Sequence, residues 1–394
     1  MPNKLDKLRI KNFRALADIE VETKSLNVLF GPNGAGKSSF LDTIWFIRDC
    51  AIRGVDEASS QRDHGIGLLY DHAEIDANIV LAIETSLAQY EITMGFSSGR
   101  IEPMVGERLY SKVDDICLVD RKIGRDSANF YHYGLKQPTP FTLREPEKLA
   151  FTRYLDFEES TPEAASELEK LLRYVNFHHS REAELYKLKK YGSESRHHIW
   201  LWDRCGNLWS VLRNLHDKRT IDARYDTIIE FMRKSFPGFE NLLIEQTGPN
   251  AVYGNFIEKG HSKPIQASGV SDGHLQMLIH LTALFSEGAE RASLVLFDEP
   301  EISLHPYALA VFAEAVEVAT ANWNKQVFIA THSPVLISQF EPENILAAEK
   351  GEFGEVKLTR VSEIAPVQDL LEEYAAGSLY MAEVLAPQSQ LTAA

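Results

Sequence analysis

The chain has 394 residues and a formal net charge of −16, with 44% apolar and 25% charged residues, enough for two or three lobes of an ordinary globular protein. The acidic excess excludes a protein that coats nucleic acid indiscriminately, because neutralising phosphates takes Lys and Arg, yet it leaves room for a local basic groove. No apolar run reaches membrane-spanning length, the opening MPNKLDKLRIKNF lacks the apolar core of a signal peptide, and Cys50, Cys117 and Cys205 match no metal spacing, so no membrane and a reducing cytoplasm are expected.

In chain order, residues 5–23 alternate, with Leu8, Ile10 and Phe13, then Ile19 and Val21, on one face; they predict a hairpin. Arg14 follows Asn12-Phe13 and is either a surface cation or a contact to a nucleotide. A short apolar run (Leu26, Val28, Leu29, Phe30) then predicts a buried strand, which stops at Gly31 and passes through Pro32-Asn33-Gly34-Ala35-Gly36. At Lys37-Ser38-Ser39 it restarts as a helix with Phe40, Ile44, Phe46 and Ile47 at helical spacing. The pattern G-x-x-x-x-G-K-[ST] is complete and stands between strand and helix, the context it requires. Glycines let backbone N–H groups turn inward and the helix N-terminus adds positive potential, so the stretch is built to cradle a polyphosphate. Lys37 would lie near the β- and γ-phosphates, with the Ser38 hydroxyl on Mg²⁺. A glycine-rich turn without a ligand is the alternative; the acidic motif downstream speaks against it.

Residues 74–86, 89–96 and 101–112 predict an antiparallel meander, with turns at Ser97-Ser98-Gly99 and Pro103. Residues 121–153 read as loop-rich with a mild basic excess. A helix starts near Thr161-Pro162-Glu163, with Leu168, Leu171, Leu172 and Val175 at helical spacing, and residues 181–235 add helices and many cations, Arg181, Lys187, Lys189 and Lys190 among them. Trp200, Trp202 and Trp209 are interleaved with those cations. Base stacking on a nucleic acid is one reading, a filled core the favoured one. Histidine pairs 178–179 and 197–198, taken as helical, would point to different faces and share no metal.

Residues 239–258 return to short strands, and 260–269 is a Gly/Pro/Ser-rich turn. Ser271-Asp272-Gly273 then opens an apolar helix, in which Ser271 is a natural N-cap. Residues 293–297, SLVLF, are a second buried strand ending in Asp298-Glu299. Apolar residues followed by two acids place a carboxylate on Mg²⁺ beside a phosphate loop, with Glu299 left to orient or deprotonate the attacking water. Residues 327–330 form a third buried strand ending in Thr331-His332, and the helix 306–320 between them makes this part βαβ with a parallel sheet. Ligands of such sheets sit at the carboxyl ends of the strands, where the phosphate loop, Asp298-Glu299 and His332 would gather. A helix, a hairpin over 344–360 and a disordered end over 386–394 complete the chain.

The segments GPNGAGKS, VSDGH, VLFDEPEISLHP and ATHSP, in that order, resemble the RecF/SMC-like branch of the ABC ATPases, and within it the stand-alone OLD-like ATPases, many of which serve in bacterial anti-phage defence. The resemblance covers most of residues 1–385, weakly through 100–235. It implies an α/β fold: an ABC-type P-loop ATPase head with a parallel or mixed sheet core, an antiparallel β subdomain and a helical insertion lobe. The lobes divide as 1–150, 151–237 (helical) and 238–385, before the tail at 386–394. It further implies that Asn33, Gly34, Ala35, Gly36, Lys37, Ser38 and Ser39 hold ATP and Mg²⁺, that Asp298 coordinates the metal through its outer shell, that Glu299 is the base and that His332 senses the γ-phosphate. Ser271 and Gly273 correspond to the signature motif that reaches the γ-phosphate held by an opposite subunit, and Ser303, Leu304 and His305 to the loop between subunits. Hydrolysis would then need a homodimer sandwiching two ATP molecules.

Two departures stand out. Asp272 replaces the transporter signature's Gly, so its carboxylate has to point away from phosphate or pair with a cation. No glutamine stands in the metal-sensing loop, where His178 or His179 falls instead. The expected function is an ATP-dimerised switch for a separate effector, a nuclease by analogy with relatives that carry one, because about 60 residues after His332 are too few for a nuclease domain. A RecF-like clamp that binds DNA is the alternative, and a transporter subunit or a binding-only module fits less well.

Overall fold

In the computed structural model the described residues run from 4 to 386, apart from 63–65, 75, 96–103, 289–290, 352–354, 365–366, 368–369, 372–373 and 383. The turns expected at Ser97–Gly99 and Pro103, and the tail after Ala386, lie outside them. Three sheets carry the chain. The central one has six strands in the order β10 (Val175–His179), β15 (Ser293–Asp298), β16 (Lys325–Thr331), β3 (Leu26–Phe30), β17 (Ile345–Lys350) and β18 (Val356–Arg360). All neighbours pair in parallel except the last hairpin.

Strands β3 and β16 are buried along their whole length, which is why their sequences read as continuous apolar runs rather than alternating ones. Side chains still alternate between faces. Val28, Phe30, Val295, Phe297, Val327 and Ile329 join one core, while Leu29, Leu294, Leu296, Phe328 and Ala330 join the other. The first core is covered by α6 (Leu208–Asp217), α7 (Arg224–Ser235), α8 (Asp272–Phe285) and α9 (Pro306–Asn322). The second is covered by α1 (Lys37–Arg53), α4 (Glu163–Arg173) and an eight-stranded antiparallel sheet.

That sheet runs β2 (Leu16–Glu22), β1 (Lys7–Phe13), β4 (Ile79–Glu84), β5 (Ala88–Gly95), β6 (Met104–Ser111), β7 (Ile116–Arg121), β8 (Ser127–His132), β9 (Gln137–Thr142). A small third sheet joins β11 (Ser193–Glu194), β13 (Ala251–Glu258) and β12 (Phe239–Gly248), with β14 (Ile265–Gln266) on β13. Short helices α2 (Val55–Ser60), α3 (Ala150–Tyr154), α5 (Leu185–Lys190), α10 (Pro334–Ile337) and α11 (Ala376–Met381) complete the fold. No helix among the described residues is long and apolar enough to cross a membrane.

Three readings are corrected. Residues 121–153 are not loop-rich: β8 and β9 extend the antiparallel sheet through them. The segment 151–237 is not purely helical, because α4 ends at Arg173 and Val175 opens β10, the outer strand of the central sheet. Of the three tryptophans, Trp209 is fully buried and donates from Nε1 to Leu188 O at 3.1 Å, whereas Trp200 and Trp202 are 46% and 39% exposed.

Gly31 follows β3 directly with φ 151°, and a Cβ there would meet Ala348 O at 2.1 Å. The backbone of β17 leaves no room to relax, so Gly31→Ala is expected to cost about 2–3 kcal/mol through overpacking. Thermal unfolding checks this; a melting temperature unchanged within 1 °C by about that measure of error would contradict it.

Candidate functional site

The phosphate loop is shaped by three glycines with positive φ: Gly31 (151°), Gly34 (73°) and Gly36 (76°). Gly36 is the N-cap of α1 and turns that helix's first N–H groups toward the loop. Asn33 and Gly34 are exposed, Ala35 is buried, and Ser39 is half-buried. The Lys37 ammonium is buried and donates to Gly31 O (2.8 Å) and Pro32 O (3.0 Å), 3.4 Å from His332 Nδ1. Burial pushes it down to about 8, against the opposing pull of Asp298, Glu299 and Glu301.

Sheet register brings the other groups level with this loop. Thr331 pairs with Phe30, Asp298 with Ala330, and His179 with Asp298. Ser38 Oγ donates to Asp298 Oδ1 at 3.1 Å, and His179 Nδ1 stands 3.1 Å from Asp298 Oδ2. Burial draws the His179 imidazole down, but the bond to Asp298 and that carboxylate's charge outweigh it and the net shift is upward. His178, its strand neighbour, points the other way: it is fully buried, pushed down to about 4 by burial, and 3.6 Å from Cys205 Sγ. The pair therefore lies on a strand rather than a helix, and the histidine that faces the carboxylate is His179.

Glu299 holds a left-handed backbone (φ 52°), a conformation that costs energy for a non-glycine residue. Its Oε2 is 2.7 Å from Arg181 Nη2, and its Oε1 is 3.8 Å from His332 Nε2. The His332 imidazole is lowered by burial and by the Lys37 charge, and its backbone N–H donates to Glu301 Oε1 at 2.8 Å. These groups, with Asn33 and Pro334, line a cleft of about 760 Å³. A second cleft of about 340 Å³ opens between Ser38, His179, Asp42, Trp45, Phe177 and Arg14. Arg14 (φ 49°) reaches Asp42 Oδ2 at 3.3 Å there.

Ser271 and Gly273 stand apart from this assembly and share no hydrogen bond with the phosphate loop among the described residues. Ser271 occupies the N-cap position of α8 and is exposed, but its hydroxyl meets His274 Nδ1 at 2.8 Å instead of a backbone N–H. Asp272 is paired with Lys189 Nζ at 2.5 Å, the cation its position required. Gly273 is buried, and a Cβ there would meet Ser303 O at 2.5 Å. Ser303 itself has φ 66°, and the His305 side chain caps α9.

Sequence reasoning did not single out Arg181, Glu301 or Lys350. A Cβ on Gly34 would lie 2.9 Å from the Lys350 ammonium, which overhangs the loop from the end of β17. Nothing in the local pattern separates these residues from other surface charges. The donor set fits a magnesium–triphosphate: an open backbone cradle, an ammonium held by two carbonyls beside His332, and a hydroxyl hydrogen-bonded to a carboxylate.

Residues 4–199 match the family described as "AAA ATPase domain", and residues 143–338 that described as "AAA domain, putative AbiEii toxin, Type IV TA system". Protein ea59 of Escherichia phage lambda is 41% identical over 70 residues, 18% of this chain, and the match spans 13% of that protein's length. Among solved structures, the SmcHead bound to the C-winged helix domain of ScpA has a TM-score of 0.53 at 14% identity, with 92% of this chain and 99% of that one covered. The Smc head domain with an extended coiled coil, bound to the C-terminal domain of ScpA derived from Pyrococcus furiosus, gives 0.52 at 14%, with 95% and 99% covered. The fold is that of an SMC-head-like P-loop ATPase, and two overlapping stretches of the chain, 4–199 and 143–338, match AAA ATPase domain families.

With the Lys37 ammonium at about 8 in the free protein, a bound polyphosphate raises it and protons are taken up. Calorimetry of MgATP binding in buffers of different ionisation enthalpy should show roughly half a proton taken up at pH 8, falling toward zero near pH 6.5. Uptake independent of pH would contradict this assignment.

Proposed function

We propose that this chain binds and hydrolyses ATP with Mg²⁺, closes into a homodimer around it, and in doing so regulates a separate effector protein, a nuclease, in an OLD-like bacterial anti-phage defence system. The observation that carries the ATPase reading is the convergence of Ser38 on Asp298 and of Lys37 on His332, with Glu299 in the same cleft. Asn33, Gly34, Ala35, Gly36 and Ser39 surround the phosphates, and Lys37 balances their charge. Ser38 would hold the metal, with Asp298 acting through its outer shell, and the metal would supply charge neutralisation for the phosphates. Glu299 orients the attacking water and accepts its proton, and His332 fixes the terminal phosphate. Arg14 sits beside the metal-side cleft, where it contacts the nucleotide.

Dimerisation is supported by the exposed Ser271 and by the packing of Gly273 against Ser303, which sets the signature and the adjoining loop on one surface. The description of the matched AbiEii-type domain supports the defence setting. The SMC heads of similar fold are each bound to a domain of ScpA, which supports partner binding by an ATP-driven head. The division into lobes at 1–150, 151–237 and 238–385, with a cytoplasmic location, belongs to the same proposal.

Lys37→Ala is expected to abolish ATP binding, whereas Glu299→Gln retains ATP and accumulates dimer. Size-exclusion chromatography with and without ATP reads both, and a Glu299→Gln protein that stays monomeric at saturating ATP would defeat the sandwich. The exposed Trp200 and Trp202, within a segment rich in Lys and Arg, favour a second reading, a clamp that binds DNA. Filter binding across a salt series separates the two: the clamp predicts duplex binding that weakens steeply with salt, by about one power of concentration per phosphate contact.

A further inference from the structure

The cleft that receives the terminal phosphate is lined with acid. Glu299 and Glu301 line it with Asp298 close by, and from the loop they are faced by Lys37, which is buried and bonded to two carbonyls, and by the Lys350 ammonium over Gly34. A triphosphate adds further negative charge, so a cation must be able to move toward it. Arg181 is placed for that. Its side chain is 75% exposed, pairs with Glu299 at 2.7 Å, and lines the cleft together with Asn33 and His332.

Its root, by contrast, is fixed. Ser180 N donates to Asp298 O at 3.3 Å, and Ser180 O accepts from the buried Gln276 Nε2 at 2.8 Å. The backbone next to Arg181 is thus tied to β15 and to α8, while the side chain pivots on a flexible stem. A planar fork of donors suits phosphate oxygens.

We infer that Arg181 is a catalytic arginine supplied within the same chain: when a nucleoside triphosphate binds, its guanidinium leaves Glu299 for the terminal phosphate. This rests on the ATPase reading. The transfer does two things at once. It places positive charge where the transition state gathers negative charge, and it frees Glu299 to take a proton. In the step itself the water oxygen bonds to the γ-phosphorus as the bond to the β,γ-bridging oxygen breaks. The proton of the water passes to Glu299, and the bridging oxygen leaves on ADP.

The full-length protein, with Arg181→Ala and Arg181→Lys, tests the inference through steady-state ATP hydrolysis and calorimetric affinities for AMP-PNP and ADP. Expected for Arg181→Ala are a fall in kcat of about a thousandfold or more, the scale of a lost arginine finger, and a loss of AMP-PNP affinity of about tenfold with ADP affinity kept within about twofold. Arg181→Lys should recover only a small part of kcat. An unchanged or increased kcat in Arg181→Ala, or equal losses for AMP-PNP and ADP, would overturn it. A wild-type protein that hydrolyses no ATP would sink the ATPase reading instead, and the AMP-PNP preference over ADP would still decide the role of Arg181.

Discussion

Four parallel strands end level with one another, and the site exists because they do. The ladder β10-β15-β16-β3 sets His179 beside Asp298, Asp298 beside Ala330 and Thr331 beside Phe30, so a glycine loop, a carboxylate and two histidines emerge at one sheet edge. A slip of one residue in any pair would turn each side chain to the opposite face. Asp298 would then point at a core, and Ser38 would lose its acceptor. The apolar interiors of β15 and β16, buried on both faces, prevent such slips, since every shifted register leaves Leu, Val and Ile side chains facing the wrong layer.

Behind the loop, charge is arranged to keep α1 in place. Arg62 is buried, and its guanidinium binds Asp42 (2.9 Å) and Asp49 (2.8 Å) while lying over the Phe46 ring. Burial pulls its pKa down, but Asp42 and Asp49 outweigh that and the net shift is up. Such a pair adds little net stability, yet removing one partner leaves a buried charge uncompensated. Its effect is geometric: two turns of α1 are tied to the segment after α2, and Asp42 in turn holds Arg14. The helix whose N-terminus faces the glycine loop is therefore fixed from its far side.

The parts of the fold that were legible in the sequence were those where local pattern and tertiary role agree. Strands β3, β15 and β16 are apolar because both faces are covered, and each ends in a residue with chemistry of its own. β9 was hidden by Pro138 and Pro140, which remove backbone donors; it is tolerated because β9 is the outermost strand of its sheet, where those donors have no partner to lose. β10 was hidden because Val175 continues the helical spacing of Leu168, Leu171 and Leu172, although the helix stops at Arg173. Trp200 and Trp202 were misplaced for a different reason: residue type favours the core, but burial is decided by which elements pack over a loop. Arg181 was one cation among many, and only the position of Glu299 sets it apart.

The signature helix links these parts. From one face of α8, Gly273 lies under Ser303 O, Gln276 donates to Ser180 O at 2.8 Å, and His280 Nε2 donates to Pro300 O at 3.1 Å. Burial holds the His280 imidazole down to about 3, so it is neutral at any working pH and the bond to Pro300 does not switch with protonation. The loop that carries Arg181 and the loop that carries both Glu299 and the Ser303 turn thus share one rigid support, whose exposed N-cap is Ser271. Turning α8 by even a fraction of a turn would shift the carbonyls of Ser180 and Pro300 together, because both bonds come from residues four apart on one helical face. The left-handed backbone of Glu299 sits directly before Pro300 and is held from two sides, by that bond and by its own N–H donating to Ala330 O at 2.8 Å. Ser271 at the surface and Glu299 in the cleft are accordingly joined through one helix, and the orientation of α8, with the edge of β16, conditions the geometry of the cleft.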